Sequence, residues 1–158
     1  MQTVQTHIAP NPAVPILIFL VFFVAMWCLT SLLTGKLSGW AILSRRFGST
    51  LPFPSQTWRW KSARMRWGAN YKNCLTIGAD PAGLYLSSLF FFTIGHPALF
   101  IPWTEISLRG RRKILFIEFV ELELGREEKI PFMIRAGLAD QIRSAAASGW
   151  PVQAISQL

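Results

Sequence analysis

The residues whose type and spacing have an evident chemistry are the cations. Arg109-Gly110-Arg111-Arg112-Lys113 puts four positive charges in five residues. Another eight bases fall between Lys36 and Lys72 with no acid among them: Lys36, Arg45, Arg46, Arg59, Lys61, Arg64, Arg66 and Lys72. Such clusters repel themselves and are relieved by an anion. Arginine's planar fork suits a phosphate or carboxylate better than a lysine ammonium does. Gly110 lets a loop bend so that backbone amides converge on the same anion. Each cluster also has a plainer reading. Charges at 109–113 would keep a sheet edge from pairing with other chains, and positive charges flanking a membrane helix set its orientation without binding anything.

Acid–base and nucleophilic chemistry has much less to work with. His96 lies in a turn between Gly95 and Pro97 with no carboxylate in its local sequence, so a turn residue bonded to backbone is the simpler reading than a base. Thr104-Glu105 has no visible partner, and Glu127-Glu128, between Arg126 and Lys129, reads as a solvated hairpin tip. Glu118 interrupts the apolar face of 114–124, as a buried carboxylate or as an edge residue in water. No Gly-rich phosphate loop, nucleophile elbow, HExxH or CxxC is present. Cys28, inside an apolar run that reads as a membrane helix, and Cys74, on a strand beyond the membrane face, are expected to stay unpaired. His7 and His96 are expected on separate sides of that membrane, so no zinc-type ligand cluster can be built. No metal or cofactor is expected.

The element that would position the cations is the apolar run Pro15 to Leu33, uncharged and with hydroxyls only at Thr30 and Ser31. About 20 helical residues rising roughly 1.5 Å each match the roughly 30 Å hydrocarbon layer. The run predicts a transmembrane helix over 15–34. A signal peptide needs a cationic n-region, which residues 1–14 lack; a lipoprotein site needs small residues before Cys28, where Met26-Trp27 stand; a buried core helix is seldom this long. The excess of bases after the helix places residues 1–14 outside and the rest in the cytoplasm. The charge is confined to that flank: residues 36–72 carry eight bases and no acid, whereas 73–158 carry eight of each. Beside a bilayer, lipid headgroups are the nearer anion, so no nucleic-acid partner is expected.

Residues 35–56 read as a basic juxtamembrane segment. Trp40, Leu43 and Phe47 share a face of a helix over 38–47 that ends at Gly48. They are candidate interfacial anchors with Arg45 and Arg46 on other faces, or they dock on the following domain. Prolines 52 and 54 make 49–57 a linker. The domain, 57–150, reads as about seven antiparallel strands closed by a helix. Trp58-Arg-Trp-Lys and Arg64-Met-Arg-Trp disagree in parity, so burying both pairs requires a bulge near 62–63. Asp80-Pro-Ala-Gly83 is a turn between strands 73–79 and 84–89, the latter prolonged by Phe90-Phe-Phe. Short strands at 99–101 and 105–108, the basic loop 109–113, a long strand 114–124 and a strand at 129–133 follow. A helix over 136–148 ends before Gly149 and Pro151.

Leu75-Thr-Ile, the turn into Gly83-Leu-Tyr-Leu86, and His96-Pro-Ala-Leu-Phe-Ile-Pro-Trp-Thr-Glu-Ile106 resemble bacterial pleckstrin-homology-like (PH-like) and GRAM-type domains hung on membrane helices. The likeness covers about 57–148, with one departure: Trp150 lies just beyond the closing helix, where PH domains carry a tryptophan within it. The resemblance implies a module that binds lipids or peptides and rarely catalyses. In its phosphoinositide-binding members the basic residues come from the first two strands and their loop, where Lys61, Arg64, Arg66 and Lys72 fall. The expected protein is therefore a single-pass bacterial plasma-membrane protein presenting a binding module to anionic lipid or to a protein partner. The alternatives are an accessory subunit docked on a larger membrane complex, and an enzyme.

Overall fold

The computed structural model describes residues 12–89 and 94–151. The expected extension of a strand through Phe90–Phe92 and residues 1–11 of the expected tail over 1–14 lie outside them, while Ala13 and Val14, expected in that tail, already belong to the first helix.

The apolar run forms α1, Ala13–Leu37, 25 residues long and therefore about 37 Å at 1.5 Å per residue. It overruns the expected end by three residues. It is long and apolar enough to cross a membrane. Its large side chains stay exposed, and only Ser31 and Gly35 are buried. Lys36 in the last turn faces the negative end of the helix dipole. Gly39, at φ +87°, then turns the chain within two residues into α2, Trp40–Phe47. A side chain at Gly39 would collide with Ile130.

The amphipathic face expected on α2 exists, but it points inward. Trp40, Leu43 and Phe47 are all buried in the domain core, and the Trp40 indole donates to the Pro97 carbonyl at 2.9 Å. They are not interfacial anchors. Three large apolar side chains on an eight-residue helix gain more from the dry interior of the domain than from a half-wet headgroup layer.

Seven antiparallel strands form one curled sheet in the order β4-β3-β2-β1-β7-β6-β5. They are β1 Thr57–Arg64, β2 Asn70–Ala79, β3 Gly83–Ser88, β4 Leu99–Pro102, β5 Ile106–Ile114, β6 Ile117–Leu124 and β7 Ile130–Arg135. The helix α3, Ala136–Ala146, closes the open side with Leu138, Ala139, Ile142 and Ala146. Trp150, just past it, packs against Trp103 with ring centres 5.7 Å apart and planes tilted by 51°, so the tryptophan beyond the helix still packs on the domain.

Three boundaries differ from the sequence reading. First, Met65–Ala69 is a tight turn, so β1 and β2 form a hairpin. The pairing of β1 with β2 slips twice, between Trp58 and Lys61 and between Lys61 and Ala63, where the bulge was expected. The irregularity does not bury all four apolar residues: Met65 packs inside and Trp58 partly so, while Trp60 and Trp67 stay exposed. Second, Arg109–Lys113 is not a loop but part of β5, an edge strand. Third, the long strand over 114–124 is broken. The chain reverses at Leu115-Phe116, and Ile114 pairs with Ile117. Three apolar residues in a row carry no turn signal, so the reversal was invisible.

Register fixes which turns share an edge of the sheet. Arg64, at the end of β1, pairs with Met133. On the far side of β7, Phe119 pairs with Arg135 and Leu124 with Ile130. The β1–β2 turn therefore projects past the start of β7, and the Leu115-Phe116 turn past its end. These are opposite edges.

Candidate functional site

Helix α1 is joined to the domain by a buried polar knot. Ser31 donates to the Ile94 carbonyl at 2.8 Å. A side chain at Gly35 would stand 2.7 Å from the Gly95 carbonyl oxygen, so only glycine allows that approach. The Tyr71 hydroxyl lies 2.8 Å from both Ser38 Oγ and His96 Nε2. His96 is 1% exposed, and its ring meets those of Trp40 and Tyr71 edge-on. Its Nε2 pairs with the Tyr71 hydroxyl. Burial pushes the Tyr71 phenol up to about 12, against the smaller opposing effect of its bond to Ser38. Burial likewise raises the Cys74 thiol.

The knot also fixes the direction in which α1 leaves. As the chain descends from Ile94 to Pro97 towards β4, its helical partners run from Ser31 to Trp40. The N-terminal part of α1 therefore departs from the edge carrying the β1–β2 turn. Tyr71 lies only four residues beyond Trp67 in that turn.

The structure divides the predicted cations into two groups. Arg46 is held by Glu105, Glu127 and Glu128 at 3.4, 3.0 and 3.5 Å. Glu127 is thus a solvated residue as expected, with its side chain 81% exposed, whereas the Glu128 side chain is only 12% exposed. Arg109 faces Glu121 at 3.8 Å and Glu123 at 3.2 Å, and Arg111 pairs with Asp140 at 2.9 Å. The cluster at 109–113 is thus half neutralised in place. Of the two cations left there, Lys113 stands opposite Glu118, an exposed residue of β6, while Arg112 stands opposite Phe119.

Among the described residues no ion pair engages Lys36, Arg45, Arg59, Lys61, Arg64, Arg66, Lys72, Arg112 or Lys113. Arg64 and Lys72 meet Arg135, which the sequence did not single out, around a cleft of about 340 Å³ on the outer face of the sheet. Its apolar walls are Ile114, Phe119 and Met133, and Asn70, Asn73 and Ser62 add polar groups. Arg66 sits at the neighbouring turn with its guanidinium 5.7 Å from the Trp67 ring centre. Trp67 is 80% exposed and adopts φ +56°, a conformation disfavoured for side chains other than glycine. Arg59 belongs to a different cleft with Phe53 and Trp60, and Lys61 to a third with Gly137 and Gln141. Lys36 and Arg45 remain on the two helices.

Three exposed cations share one concavity with apolar walls and no carboxylate in its lining, an arrangement with the chemistry to hold an anion. Arg135 came to it through strand order, for which a linear sequence carries no signal. The Trp67 turn had one signal, Gly68 directly after it.

No protein-family model matches the chain, and neither a curated protein nor a solved structure matches it.

Proposed function

We propose that this chain is a single-pass membrane protein whose α1 spans the plasma membrane with its N-terminus outside. Its β-domain is held on the cytoplasmic leaflet and engages anionic headgroups through Arg64, Arg66, Lys72 and Arg135. The observation that carries the reading is that Arg66 and the exposed Trp67 stand on the turn at the edge from which α1 departs, with Arg64 and Lys72 on the two strands that the turn joins. A helix exposed along its length has no protein surface to bury it, and lipid supplies one. The two-residue joint at Ser38-Gly39 and the Tyr71 knot keep the domain from swinging on a long leash. A cleaved signal sequence fits poorly with Ser31 and Gly35, which pack into the domain. Near an anionic leaflet each cation contributes about 1 kcal/mol. The seven antiparallel strands with a closing helix support kinship with PH-like or GRAM-type domains, and the basic first hairpin suits that kinship.

Trypsin tests this reading on the full chain in nanodiscs of phosphatidylcholine with or without phosphatidylglycerol. Cleavage after Arg66 should slow severalfold when phosphatidylglycerol is present, while cleavage after Arg143 on α3, which lines neither the cleft nor the face of α1, should not. The protection should fade at 1 M salt, where screening shortens electrostatic reach to about 3 Å. Equal cleavage after Arg66 in both lipids contradicts the reading.

A specific feature favours a protein partner as a second reading. Leu115 and Phe116 are 84% and 94% exposed at the tip of the β5–β6 hairpin, on the edge turned away from α1. An apolar tip on the side turned away from α1 suits docking into the pocket of another subunit.

A further inference from the structure

The face of α1 that carries Trp27, Thr30, Ser31 and Thr34 lies over β2 and encloses a groove of about 400 Å³. These positions are spaced i, i+3, i+4 and i+7, one stripe of a helix. We infer that the groove seats one anionic phospholipid, its phosphate against Lys72 and Asn70 and an acyl chain along α1. The inference rests on the membrane reading above and names a site that reading does not require.

The groove is apolar at one end and cationic at the other. Outward along the helix, Phe19, Phe23 and Trp27 form a ladder of rings with centres 6.3 and 6.4 Å apart. The ladder ends in the groove, so a chain lying against it would enter without leaving apolar surface. The wall offers few free donors. Thr30 Oγ1 donates to the Met26 or Trp27 carbonyl at 3.0 or 2.9 Å, and Thr34 Oγ1 to the Thr30 carbonyl at 2.8 Å. Ser31 is likewise committed to Ile94. A small polar ligand would find those hydroxyl protons already spent, whereas an acyl chain or glycerol backbone needs none of them. At the other end, Asn70 and Lys72 line this groove and the cationic cleft alike. The Lys72 ammonium makes no ion pair among the described residues. A phosphate placed there gains a charge-assisted bond and a side-chain amide. A headgroup with further negative charge would extend towards Arg64 and Arg135.

The test uses the full chain taken from vesicles of phosphatidylcholine and phosphatidylglycerol into mild detergent, with bound lipid counted by native mass spectrometry. One phosphatidylglycerol per chain should survive delipidation in preference to phosphatidylcholine. Thr30→Phe, which fills the groove from a lipid-tolerant helix position, and Lys72→Gln, which removes the cation, should each lose it. Arg112→Gln, on β5 and lining neither the groove nor the cleft, should retain it. Glycerol 3-phosphate, which has the phosphate without the chains, should not displace it. Retention unchanged in both Thr30→Phe and Lys72→Gln, no preference over phosphatidylcholine, or displacement by glycerol 3-phosphate overturns the inference. Thermal melting of each variant excludes loss through unfolding. Alkaline carbonate separates the two readings. A chain that stays in the membrane but retains no lipid defeats the groove alone, and a chain stripped off by carbonate defeats the membrane reading and this site together.

Discussion

Tyr71 is the residue on which the joint between helix and sheet turns. Its hydroxyl bridges Ser38, at the end of α1, and His96, on the segment leading to β4. The phenol is raised from 10.0 to about 12, first by burial. The neutral form is therefore favoured in the fold. Its stabilisation is complete below the unfolded value of about 10 and is lost as pH rises to about 12, at roughly 1.4 kcal/mol for every pH unit between the two. Unfolding midpoints measured across that range should fall in the native chain, and Tyr71→Phe should flatten this part of the profile while lowering stability at neutral pH by about 1 to 3 kcal/mol. A fall of equal size in Tyr71→Phe would place the titration elsewhere. Arg46 makes a related point about charge. In the sequence it is one base among eight, yet three carboxylates from other parts of the chain hold it, leaving it little to offer a lipid.

The β5–β6 hairpin breaks the local rules for a turn. Two-residue reversals favour asparagine or glycine, which accept positive φ. Here Leu115 takes φ +55° and, with Phe116, stands in water. Replacing Leu115-Phe116 by Asn-Gly should raise stability by up to about 1 kcal/mol, read as a higher melting temperature. Nothing in the fold rests on these side chains. If the tip docks a protein partner, the same variant should lose that partner from purified complexes. A lower melting temperature would instead give the tip a structural role. This hairpin also marks the limit of what was legible. Helix α1, the face of α2, the Asp80 turn and α3 follow from periodicity and turn chemistry and stand where those signals put them. The pattern on α2 gave the face but not the surface it meets, because a headgroup layer and a domain core ask for the same residues. Arg109–Lys113 looked like a loop because charge is common in loops, yet an edge strand needs charge just as much. Arg135 joined Arg64 and Lys72 only through the β1–β7 pairing, a long-range contact.

At the scale of the whole molecule, the sheet presents two unlike edges. On one, the β1–β2 turn with Arg66 and Trp67 lies beside the departing α1, and the cleft of Arg64, Lys72 and Arg135 runs from there along the outer face of the sheet. On the other stand the Leu115-Phe116 tip and the half-neutralised bases of β5. The first edge should face the leaflet and the second the cytoplasm. The most direct test is to place a spin label at Trp67→Cys or at Leu115→Cys in the full chain, on a background without its other cysteines, in vesicles containing phosphatidylglycerol. Accessibility to dissolved oxygen and to a water-soluble relaxant then reports the depth of each label. The label at 67 should lie in the headgroup layer, shielded from the aqueous relaxant, and the label at 115 should remain in water. Two equally aqueous labels, or a label at 115 deeper than the one at 67, would contradict this orientation and the lipid-facing role of the cationic edge.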